Sequence, residues 1–530
     1  MTPTDAGSAP LATGDRPQNR PLPLAALADL IGAPACGAAE GRPGPPLVRG
    51  VTLASAEVQP GDLYAALPGA RTHGVRYVSD AAARGAVAVL TDPTGRDEAA
   101  AAGLPVCVVD DPRAVLGAVA DRVYGEPSRR LKVLGITGTN GKTTTAYLIE
   151  AGLAAAGLGT GLIGTVQTRT RGWSGDGVPT VTAIPSVRTT PEAPALHALL
   201  AQMVGDGVEA VVMEVSSHAL VLGRVGGVRF AAAGFTNLGR DHLDFHGDLE
   251  AYFQAKALLF DGRAEVEVVD IDDAAGSRLA ARPGRPRPVT VSSADGAADW
   301  WASDVRAAPD GGSAFTLHGP GARTWPARLR LPGRFNVANA VLAVALLDAV
   351  GIDPGTAVAG LAETVVPGRM EPVAAGQAFV AVVDYAHTPD AVTTALTALR
   401  DATSGRLITV LGCGGDRDPG KRAAMGAAAA SGSDVLVVTD DNPRSEDPVG
   451  IRAAVLAGAA EVPAAQRAEV LEVGDRRAAI ATAAGLACPG DTLLVAGKGH
   501  ETGQEVAGQV HPFDDRAVLR EVLTGVGSRS

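Results

Sequence analysis

A glycine-rich stretch followed by a lysine and three threonines combines residue types that bind phosphate. It begins Gly138-Thr-Asn-Gly-Lys-Thr, between an apolar run at 131–136 and a helical pattern that begins near residue 146. In that order, backbone N–H groups and the positive end of a helix dipole converge on one point. Lys142 adds a charge for the outer phosphates, and the Thr143 hydroxyl is a ligand for Mg²⁺. We therefore predict a nucleotide site, although Ile136 stands where the usual, longer G-x-x-x-x-G-K-[ST] spacing has glycine.

Carboxylate and imidazole side chains follow two further apolar runs that are typical of strands. Glu214 ends the run that begins at residue 208, and His242 follows the run at 230–238. Open α/β sheets bind ligands at the carboxyl ends of their strands. With Thr143, these side chains offer ligands for Mg²⁺. The alternative is that Glu214 is a helix-capping or exposed acid and that His242 is a surface residue.

Lysine is rare in this chain, since only five of the 46 basic residues are lysine. Lys256 lies inside a predicted helix at 249–260. Such a lysine ordinarily lays its stem on apolar neighbours and keeps its amine in water. Unlike arginine, however, a neutral lysine amine can take up CO₂ as a carbamate. That anionic group could hold a second Mg²⁺.

Two arginines lie on loops that follow predicted strands in the last third of the chain. Arg417 stands in Gly-Asp-Arg-Asp, and Arg444 ends Asp-Asn-Pro-Arg. Each guanidinium can bind a carboxylate through two parallel hydrogen bonds, so together they could clamp one. Ordinary salt bridges within the loops are the alternative.

The elements that carry these residues predict an α/β protein of three domains after a disordered tail at residues 1–21. The first domain is predicted at 22–127, the second at 128–367 and the third at 368–530, with linkers near 125–130 and 364–370. In the third, strands are predicted at 379–384, 407–411, 435–439 and 492–496, each followed by a polar or glycine-bearing loop. That layout is typical of a doubly wound domain.

Composition excludes several classes of protein. The 530 residues are 46% hydrophobic, yet no apolar run reaches the roughly 18 residues of a membrane span. No signal-peptide pattern begins the chain, and four separated cysteines give no metal or disulfide pattern. A net charge of −12 argues against a nucleic-acid partner. We expect a cytoplasmic protein with no transmembrane segment.

Five motifs, taken in order, resemble the Mur ligase family of ATP-dependent amide-bond-forming ligases. They are Thr137-Gly-Thr-Asn-Gly-Lys-Thr-Thr, Met213-Glu-Val-Ser-Ser-His, Asp241-His-Leu-Asp, Asp384-Tyr-Ala-His-Thr-Pro-Asp and Asp441-Asn-Pro-Arg. The resemblance runs from about residue 49 to about 516. It implies a uridine-nucleotide-binding domain, a central P-loop ATPase-like domain with a mostly parallel sheet, and a C-terminal Rossmann-like domain. The shorter phosphate loop is the form that this family has.

The resemblance also implies roles for residues around the nucleotide. ATP contacts fall on Gly138, Thr139, Asn140, Gly141, Lys142, Thr143, Thr144, Asn336, Arg369 and Asp384. Magnesium contacts fall on Thr143, Glu214 and His242, with Lys256 as the carbamylated lysine. His387 is a candidate general base.

The other two substrates have their own matching positions. Contacts to a UDP-muramoyl-dipeptide fall on Leu53, Ser55, Ala70, Arg71, Thr72, Thr189, Thr190, Ser216 and Arg224. Diaminopimelate contacts fall on Arg417, Asp441, Asn442, Pro443, Arg444, Gly497 and Glu501. The chain departs from the family where Ala54-Ser55-Ala56 replaces Asp-Ser-Arg and where Leu222 replaces a glutamine.

The implied reaction adds 2,6-diaminopimelate to the D-glutamyl γ-carboxylate of UDP-N-acetylmuramoyl-L-alanyl-D-glutamate through an acyl phosphate, within a monomer. Arg444 favours diaminopimelate over lysine, because lysine lacks the distal carboxylate. A lysine-adding or folylpoly-γ-glutamate ligase is one alternative. A nucleotide switch without ligation is another, although the sequence has no Asn-Lys-x-Asp guanine-reading motif.

Overall fold

The structure is a computed structural model that describes residues 17, 19–33, 45–69, 71–173, 179–283, 286–308 and 311–527. Most of the predicted tail, Ala70 and Cys36 lie outside the described residues. The described residues form an α/β fold with a four-stranded, an eleven-stranded and a six-stranded sheet, each in a different part of the chain. The predicted fold class is confirmed.

The first part of the chain builds a four-stranded parallel sheet in the order β3-β4-β5-β6, beside a two-stranded β1-β2 pair. Its elements are β1 (Leu22–Pro23), α1 (Leu24–Ile31), β2 (Leu47–Val48), β3 (Gly50–Thr52), β4 (Asp62–Ala65), α2 (Val78–Ala83), β5 (Ala88–Thr91), α3 (Arg96–Ala101), β6 (Val106–Val108) and α4 (Pro112–Val123).

The middle part builds the eleven-stranded sheet, whose elements run from β7 to α12. They are β7 (Lys132–Thr137), α5 (Lys142–Ala155), β8 (Thr160–Ile163), β9 (Gln167–Trp173), β10 (Pro179–Pro185), α6 (Ala193–Gly205), β11 (Ala210–Glu214), α7 (Ser217–Val221), β12 (Phe230–Phe235), α8 (Leu243–His246), α9 (Leu249–Ala257), β13 (Ala264–Asp270), α10 (Ala274–Ala280), β14 (Val289–Ser292), β15 (Trp300–Ala307), β16 (Ser313–Gly319), β17 (Arg323–Leu329), α11 (Arg334–Ala349) and α12 (Pro354–Leu361).

The strand order of this sheet is β10-β9-β8-β11-β7-β12-β13-β14-β15-β16-β17. The stretch from β8 to β15 is parallel, and the two pairs at each end are antiparallel. Helices α5 and α11 pack in the core on one face, and α6 and α9 contribute to the core on the other. Strand β7 lies between β11 and β12, so the loops that follow these three strands meet at one edge.

The last part builds the six-stranded sheet in the order β18-β19-β23-β20-β21-β22, which is parallel except for β18. Its elements are β18 (Glu371–Pro372), β19 (Val380–Asp384), α13 (Pro389–Arg400), β20 (Leu407–Leu411), α14 (Lys421–Gly432), β21 (Val435–Val438), α15 (Pro448–Glu461), β22 (Glu469–Glu472), α16 (Arg476–Leu486), β23 (Thr492–Ala496), β24 (Gly503–Val506), β25 (Gln509–Pro512) and α17 (Asp515–Gly527). The four predicted strands are present, and β18 and β22 extend the sheet at its two edges.

Several helices begin where the sequence places an aspartate before a proline. Asp111 accepts hydrogen bonds from the backbone N–H groups of Arg113 and Ala114 at the start of α4. The same Asp-Pro pair begins α12 and α15. An aspartate at the N-cap satisfies free N–H groups, and proline fits the first helical position because it needs no N–H there.

The first and middle parts of the chain are joined through α4. A side chain at Gly117 would meet the carbonyl oxygen of Gly226 at 2.4 Å, so the two backbones touch. Arg113 also forms an ion pair with Glu192, at 3.3 Å, just before α6. The described cysteines, Cys107, Cys413 and Cys488, form no disulfide. None of the helices in the described ranges has the length and apolar character that a membrane crossing needs.

A buried ion pair holds the last helix against the six-stranded sheet. Arg476 on α16 donates to both carboxylate oxygens of Asp515 on α17, at 2.8 and 2.7 Å. A second Nη2 hydrogen bond reaches the carbonyl oxygen of Ala496 at 2.9 Å, at the end of β23. Both side chains are fully buried. Removing one partner would leave an uncompensated charge in the interior.

Asp515→Asn is therefore expected to lower the free energy of opening of the β23 amides by about 3–5 kcal/mol, measured by native-state hydrogen exchange. The neighbouring pair, Arg477 with Glu521, is the matched control because both of its side chains are more than half exposed. Glu521→Gln is expected to change the same quantity by less than about 1 kcal/mol. Equal effects of the two substitutions would contradict the role of the buried pair.

Candidate active site

The phosphate-binding loop lies between β7 and α5, at the edge where β11 and β12 also end. Glu214 is paired in register with Ile136, and Phe235 with Thr137. This places the end of each neighbouring strand beside Gly138, the first residue of the loop. The three strand ends that the sequence singled out are therefore adjacent.

Two glycines of the loop are required by close contacts. Gly138 has φ +146°, and a Cβ there would meet the Thr236 hydroxyl oxygen at 1.8 Å. Gly141 has φ +89°, and a Cβ there would meet the Asn339 side-chain oxygen at 2.3 Å. Any larger residue would both strain the backbone and collide with a neighbour. The two glycines therefore fix the path of the loop into the start of α5.

Residues after β12 brace this loop from the side. Asn237 accepts a hydrogen bond from the Asn140 N–H at 3.0 Å and donates one to the Asn140 carbonyl oxygen at 3.1 Å. The Thr236 hydroxyl also donates to the Asn140 carbonyl oxygen, at 2.6 Å. The shape of the loop is thus held by protein groups.

Two lysine amines donate to the same carbonyl oxygen of this loop. The Lys142 amine lies 2.9 Å from the Gly138 oxygen and 2.8 Å from the Thr139 oxygen, and the Lys256 amine lies 2.7 Å from the Gly138 oxygen. Burial lowers the pKa of both amines, and the pKa of Lys256 falls well below its usual value because of burial and the nearby Lys142 charge. Lys256 is 1% exposed. The alternative that its amine stands in water is wrong.

Glu214 is also buried, so the alternative that it is an exposed acid is wrong. It is 1% exposed, and its two oxygens accept hydrogen bonds of 2.8 and 2.9 Å from the backbone N–H and hydroxyl of Thr165. The N-cap of the following helix, α7, is Ser216 rather than Glu214. Each carboxylate oxygen therefore keeps a lone pair for a further ligand.

His242 follows β12 and its side chain is 49% exposed, so it lies at the surface, as the alternative has it. Its ring is 4.9 Å from that of His218, edge to face. Within the described ranges, no three His, Cys, Asp or Glu side chains gather closely enough to hold a metal ion. Mg²⁺, however, commonly takes one or two carboxylates and completes its shell with phosphate oxygens and water. The buried Glu214 carboxylate and the buried Thr143 hydroxyl fit that kind of site.

Of the predicted ATP residues beyond the phosphate loop, Arg369 and Asp384 lie on the last part of the chain and Asn336 lies on α11 of the middle part. Asp384, at the end of β19, accepts hydrogen bonds from the N–H groups of Met370 and Ala386 at 2.7 and 2.8 Å. Arg369 lies over the Tyr385 ring, 4.4 Å from its centre. The Asn336 side chain donates to a backbone carbonyl oxygen at 2.7 Å and is buried at the start of α11.

His387 has a defined tautomer. Its Nδ1 lies 2.7 Å from the Tyr385 carbonyl oxygen, which can only accept, so Nδ1 carries the proton. Burial lowers the pKa of the imidazole to about 4. His387 is therefore neutral near pH 7, and its Nε2 holds a lone pair.

Four of the predicted muramoyl-dipeptide residues form one hydrogen-bonded group around Glu214. The Thr190 hydroxyl donates to the Glu214 carbonyl oxygen at 2.9 Å and accepts from the Ser216 N–H at 3.1 Å. The Thr189 hydroxyl lies 3.0 Å from that of Thr165, and Arg224 donates to the Thr190 carbonyl oxygen at 3.3 Å. These side chains lie together beside the phosphate loop.

The remaining predicted residues of this substrate lie on the first part of the chain. Leu53 and Ser55 follow β3, and Arg71 and Thr72 follow β4. Within the described ranges, no hydrogen bond or ion pair joins them to the group around Glu214. They follow the carboxyl ends of two adjacent parallel strands, on a separate sheet.

The predicted diaminopimelate residues lie on the loops after β20, β21 and β23, which are neighbouring strands. Asn442 donates to Glu501 at 2.8 Å and accepts from the buried amine of Lys498 at 2.9 Å. A Cβ at Gly497 would meet an Asp441 carboxylate oxygen at 2.6 Å, so these two loops touch.

The two arginines of the predicted clamp differ. Arg444 donates from Nη1 to the Gly415 carbonyl oxygen at 2.6 Å and from Nε to Glu505 at 3.2 Å. Arg444 thus forms the loop salt bridge that the alternative describes, and its role in a carboxylate clamp stays a prediction. Arg417 is exposed and forms no hydrogen bond or ion pair with any other described residue.

Sequence reasoning missed several residues that shape the site. Asn339 donates to Asn336 at 3.3 Å. Residues three apart on a helix face each other, so this spacing could have indicated the contact from sequence. The only sequence feature that pointed to Lys498 was the rarity of lysine in this chain. Thr165 gave no signal of its own, because its contact with Glu214 depends on the packing of distant strands. Tyr385 lies within a motif quoted above, but its contact with Arg369 was not predicted.

Comparisons with known proteins agree with the motifs. The model described as "Mur ligase family, catalytic domain" matches residues 47–124, "Mur ligase middle domain" matches 136–347, and "Mur ligase, glutamate ligase domain" matches 368–499.

Curated relatives and solved structures cover nearly the whole chain. A UDP-N-acetylmuramoyl-L-alanyl-D-glutamate–2,6-diaminopimelate ligase of Streptomyces avermitilis is 56% identical over 90% of this chain and 92% of its own. One of the same name from Corynebacterium glutamicum is 47% identical over 94% of this chain and 97% of its own. A solved structure of that name is 32% identical, with a TM-score of 0.65, over 91% of this chain and 96% of its own. The chain belongs to the Mur ligase family.

Proposed function

We propose that this chain is an ATP-dependent ligase that adds 2,6-diaminopimelate to the D-glutamyl γ-carboxylate of UDP-N-acetylmuramoyl-L-alanyl-D-glutamate, a step of peptidoglycan precursor synthesis. The observation that carries the proposal is the position of Glu214. It ends β11 in register with Ile136 of β7, just before the phosphate loop, and its backbone carbonyl oxygen accepts a hydrogen bond from Thr190. The phosphate loop and the proposed muramoyl-dipeptide residues therefore lie next to each other, with Glu214 between them. The names of the relatives support the same substrates.

The first step joins a carboxylate to a phosphoryl group. A γ-carboxylate oxygen attacks the γ-phosphorus of ATP, ADP leaves, and an acyl phosphate forms. Both reactants are anionic, so the site must offset the charge that they bring together. Lys142, the loop N–H groups and the N-terminus of α5 supply positive charge at the phosphates. The threonines around Glu214 orient the carboxyl end of the dipeptide.

We also propose a magnesium site and a carbamate on Lys256. Thr143 and Glu214, with the more exposed His242, would hold Mg²⁺, which when bound would neutralise phosphate charge and orient the nucleotide. The Lys256 amine is buried beside the loop, and its lowered pKa favours the neutral form that takes up CO₂. A carbamate nitrogen keeps one N–H, so the hydrogen bond to Gly138 can persist.

The second step transfers the acyl group to an amine. The amine nitrogen of diaminopimelate attacks the acyl carbon, an amide forms, and phosphate leaves. We propose that Arg444 and Arg417 hold the distal carboxylate and that residues 441–442, Pro443, Gly497 and Glu501 shape the pocket. His387, neutral with a free Nε2 lone pair, is the proposed acceptor of the amine proton.

We further propose that the protein acts as a monomer in the cytoplasm. The residues assigned to all three substrates lie on one chain, and the substrates include ATP and a UDP-linked precursor. Sedimentation of the purified chain would report the oligomeric state.

Phosphate release with ATP, the UDP-muramoyl-dipeptide and a panel of amino acids tests the function. Release should require the dipeptide and be fastest with diaminopimelate, and mass spectrometry should find the lengthened peptide. Faster ligation of lysine, ligation of glutamate to a folate, or ATP hydrolysis without any ligated product would overturn the proposal and point to one of the alternatives.

Lys142→Ala is expected to lower the ligation rate by roughly 10³-fold or more, because it removes the charge at the transferring phosphoryl group. Lys132→Ala is the control. Lys132 lies on β7 and donates to the Val350 carbonyl oxygen at 2.9 Å, away from the site. Near-normal turnover by Lys142→Ala, measured as ADP formed per second, would refute the assignment of the loop.

Lys256→Ala should be almost inactive and should regain part of its activity when formate or acetate is added, because a small carboxylate can occupy the place of the carbamate. Turnover is measured against carboxylate concentration, with Lys142→Ala as a variant that these acids should not restore. Full activity of Lys256→Ala without added acid would remove the carbamate from the account.

Arg444→Ala should weaken the use of diaminopimelate by roughly 100-fold in kcat/KM, since a charged bidentate pair contributes about 3 kcal/mol. The KM for ATP should stay unchanged, because the nucleotide lies at another loop. An unchanged kcat/KM for diaminopimelate would mean that its distal carboxylate binds elsewhere.

A further inference from the structure

We propose that Glu505, on the hairpin of β24 and β25, is a positioning residue that fixes the Arg444 guanidinium for the distal carboxylate of the incoming amino acid. The proposal rests on the proposed function for the identity of that amino acid. Glu505 is not among the residues proposed to contact a substrate. It acts through Arg444.

The backbone of Arg444 is bound to the hairpin as if it were part of a strand. Its N–H donates to the Glu505 carbonyl oxygen at 2.9 Å, and its own carbonyl oxygen accepts from the Ala507 N–H at 2.7 Å. Arg444 also has φ +52°, a left-handed conformation that is uncommon for a residue with a side chain. The hairpin therefore holds Arg444 in a conformation that an isolated loop would rarely adopt.

The side chain of Arg444 is fixed by two acceptors on opposite sides. Glu505 accepts from Nε at 3.2 Å, and the Gly415 carbonyl oxygen accepts from Nη1 at 2.6 Å. Nη2 forms no hydrogen bond within the described ranges. The Arg444 side chain is 21% exposed and that of Glu505 is 40% exposed. The guanidinium is thus oriented while part of its donor set stays available to a ligand.

The same hairpin orients the rest of the 441–444 loop. The Glu505 N–H donates to the Asn442 side-chain oxygen at 3.0 Å, and the Gln504 side chain donates to the Asp441 carbonyl oxygen at 2.7 Å. These contacts do not use the Glu505 carboxylate. A substitution of that carboxylate alone should therefore leave the loop in place and free only the Arg444 side chain.

A fixed guanidinium loses less conformational freedom when it binds a carboxylate than a free one does. Removal of the Glu505 carboxylate should therefore weaken the binding of diaminopimelate. The opposite effect is expected if the Glu505 charge mainly competes with the substrate carboxylate for Arg444, because its removal would then strengthen binding. The two accounts predict KM changes of opposite sign.

The test compares steady-state kinetics of the full-length wild type, Glu505→Ala and Glu505→Gln. Glu505→Ala should raise the KM for diaminopimelate roughly five- to tenfold, with kcat and the KM values for ATP and the muramoyl-dipeptide unchanged. Glu505→Gln keeps an oxygen that can accept from Nε, so its KM should stay within about threefold of wild type.

Glu472→Ala is the matched control. Glu472 is 43% exposed and accepts from Arg452 at 2.8 Å, while Arg452 keeps a second partner in Asp440. The KM of the Glu472→Ala variant for diaminopimelate should equal that of the wild type. Thermal unfolding of all variants should coincide with that of the wild type, because each substituted carboxylate is well exposed.

The outcomes separate this role from the proposed function. A wild type that does not ligate diaminopimelate overturns the function. An active wild type with an unchanged or lowered KM in Glu505→Ala overturns only the positioning role. A Glu505→Gln variant as weak as Glu505→Ala would also overturn it, because the charge rather than the hydrogen bond would then be responsible.

Discussion

The site depends on one carbonyl oxygen, that of Gly138, which accepts hydrogen bonds from the amines of both Lys142 and Lys256. Two amines beside one another in the interior repel when both are charged, and burial adds to the cost. Lys256 is buried on α9, and its Nζ also lies 4.2 Å from the centre of the Tyr252 ring. It links the phosphate loop to α9, so the loop and the predicted carbamate position form one unit.

The order of the strands brings the residues proposed for several reactants to one edge of each sheet. Strand β7 lies between β11 and β12. The phosphate loop therefore lies next to Glu214 on one side and to Thr236 and Asn237 on the other, each directly at or after the end of its strand. In the six-stranded sheet, the loops after β20, β21 and β23 meet for the same reason. Each sheet therefore presents polar side chains at one edge, and the proposed reaction requires the edges to approach a shared set of substrates. Buried groups on these edges, such as Lys498 with Asn442, hold the loops in shape.

Much of this could be predicted from sequence, because strand ends and helix starts are local features. The phosphate loop, the burial of the strand before Glu214 and the four parallel strands of the last part follow from apolar runs and the residues that end them. Strands β9 and β15 to β17 were not predicted, since their residues are largely polar or alternate and give no apolar run. The partners of Arg444 and Glu214 were also missed. Glu505 is 61 residues from Arg444, and Thr165 is 49 residues from Glu214, so only the folded chain brings them together.

The most direct test of the central claim follows an oxygen atom through the reaction. UDP-N-acetylmuramoyl-L-alanyl-D-glutamate labelled with ¹⁸O in its γ-carboxylate is incubated with ATP, diaminopimelate and the purified protein, and the released phosphate is analysed by mass spectrometry. If the carboxylate attacks the γ-phosphorus, each phosphate formed by ligation carries one ¹⁸O atom. Phosphate without ¹⁸O, formed as quickly as the peptide product, would contradict an acyl phosphate and with it the proposed use of the Gly138 loop.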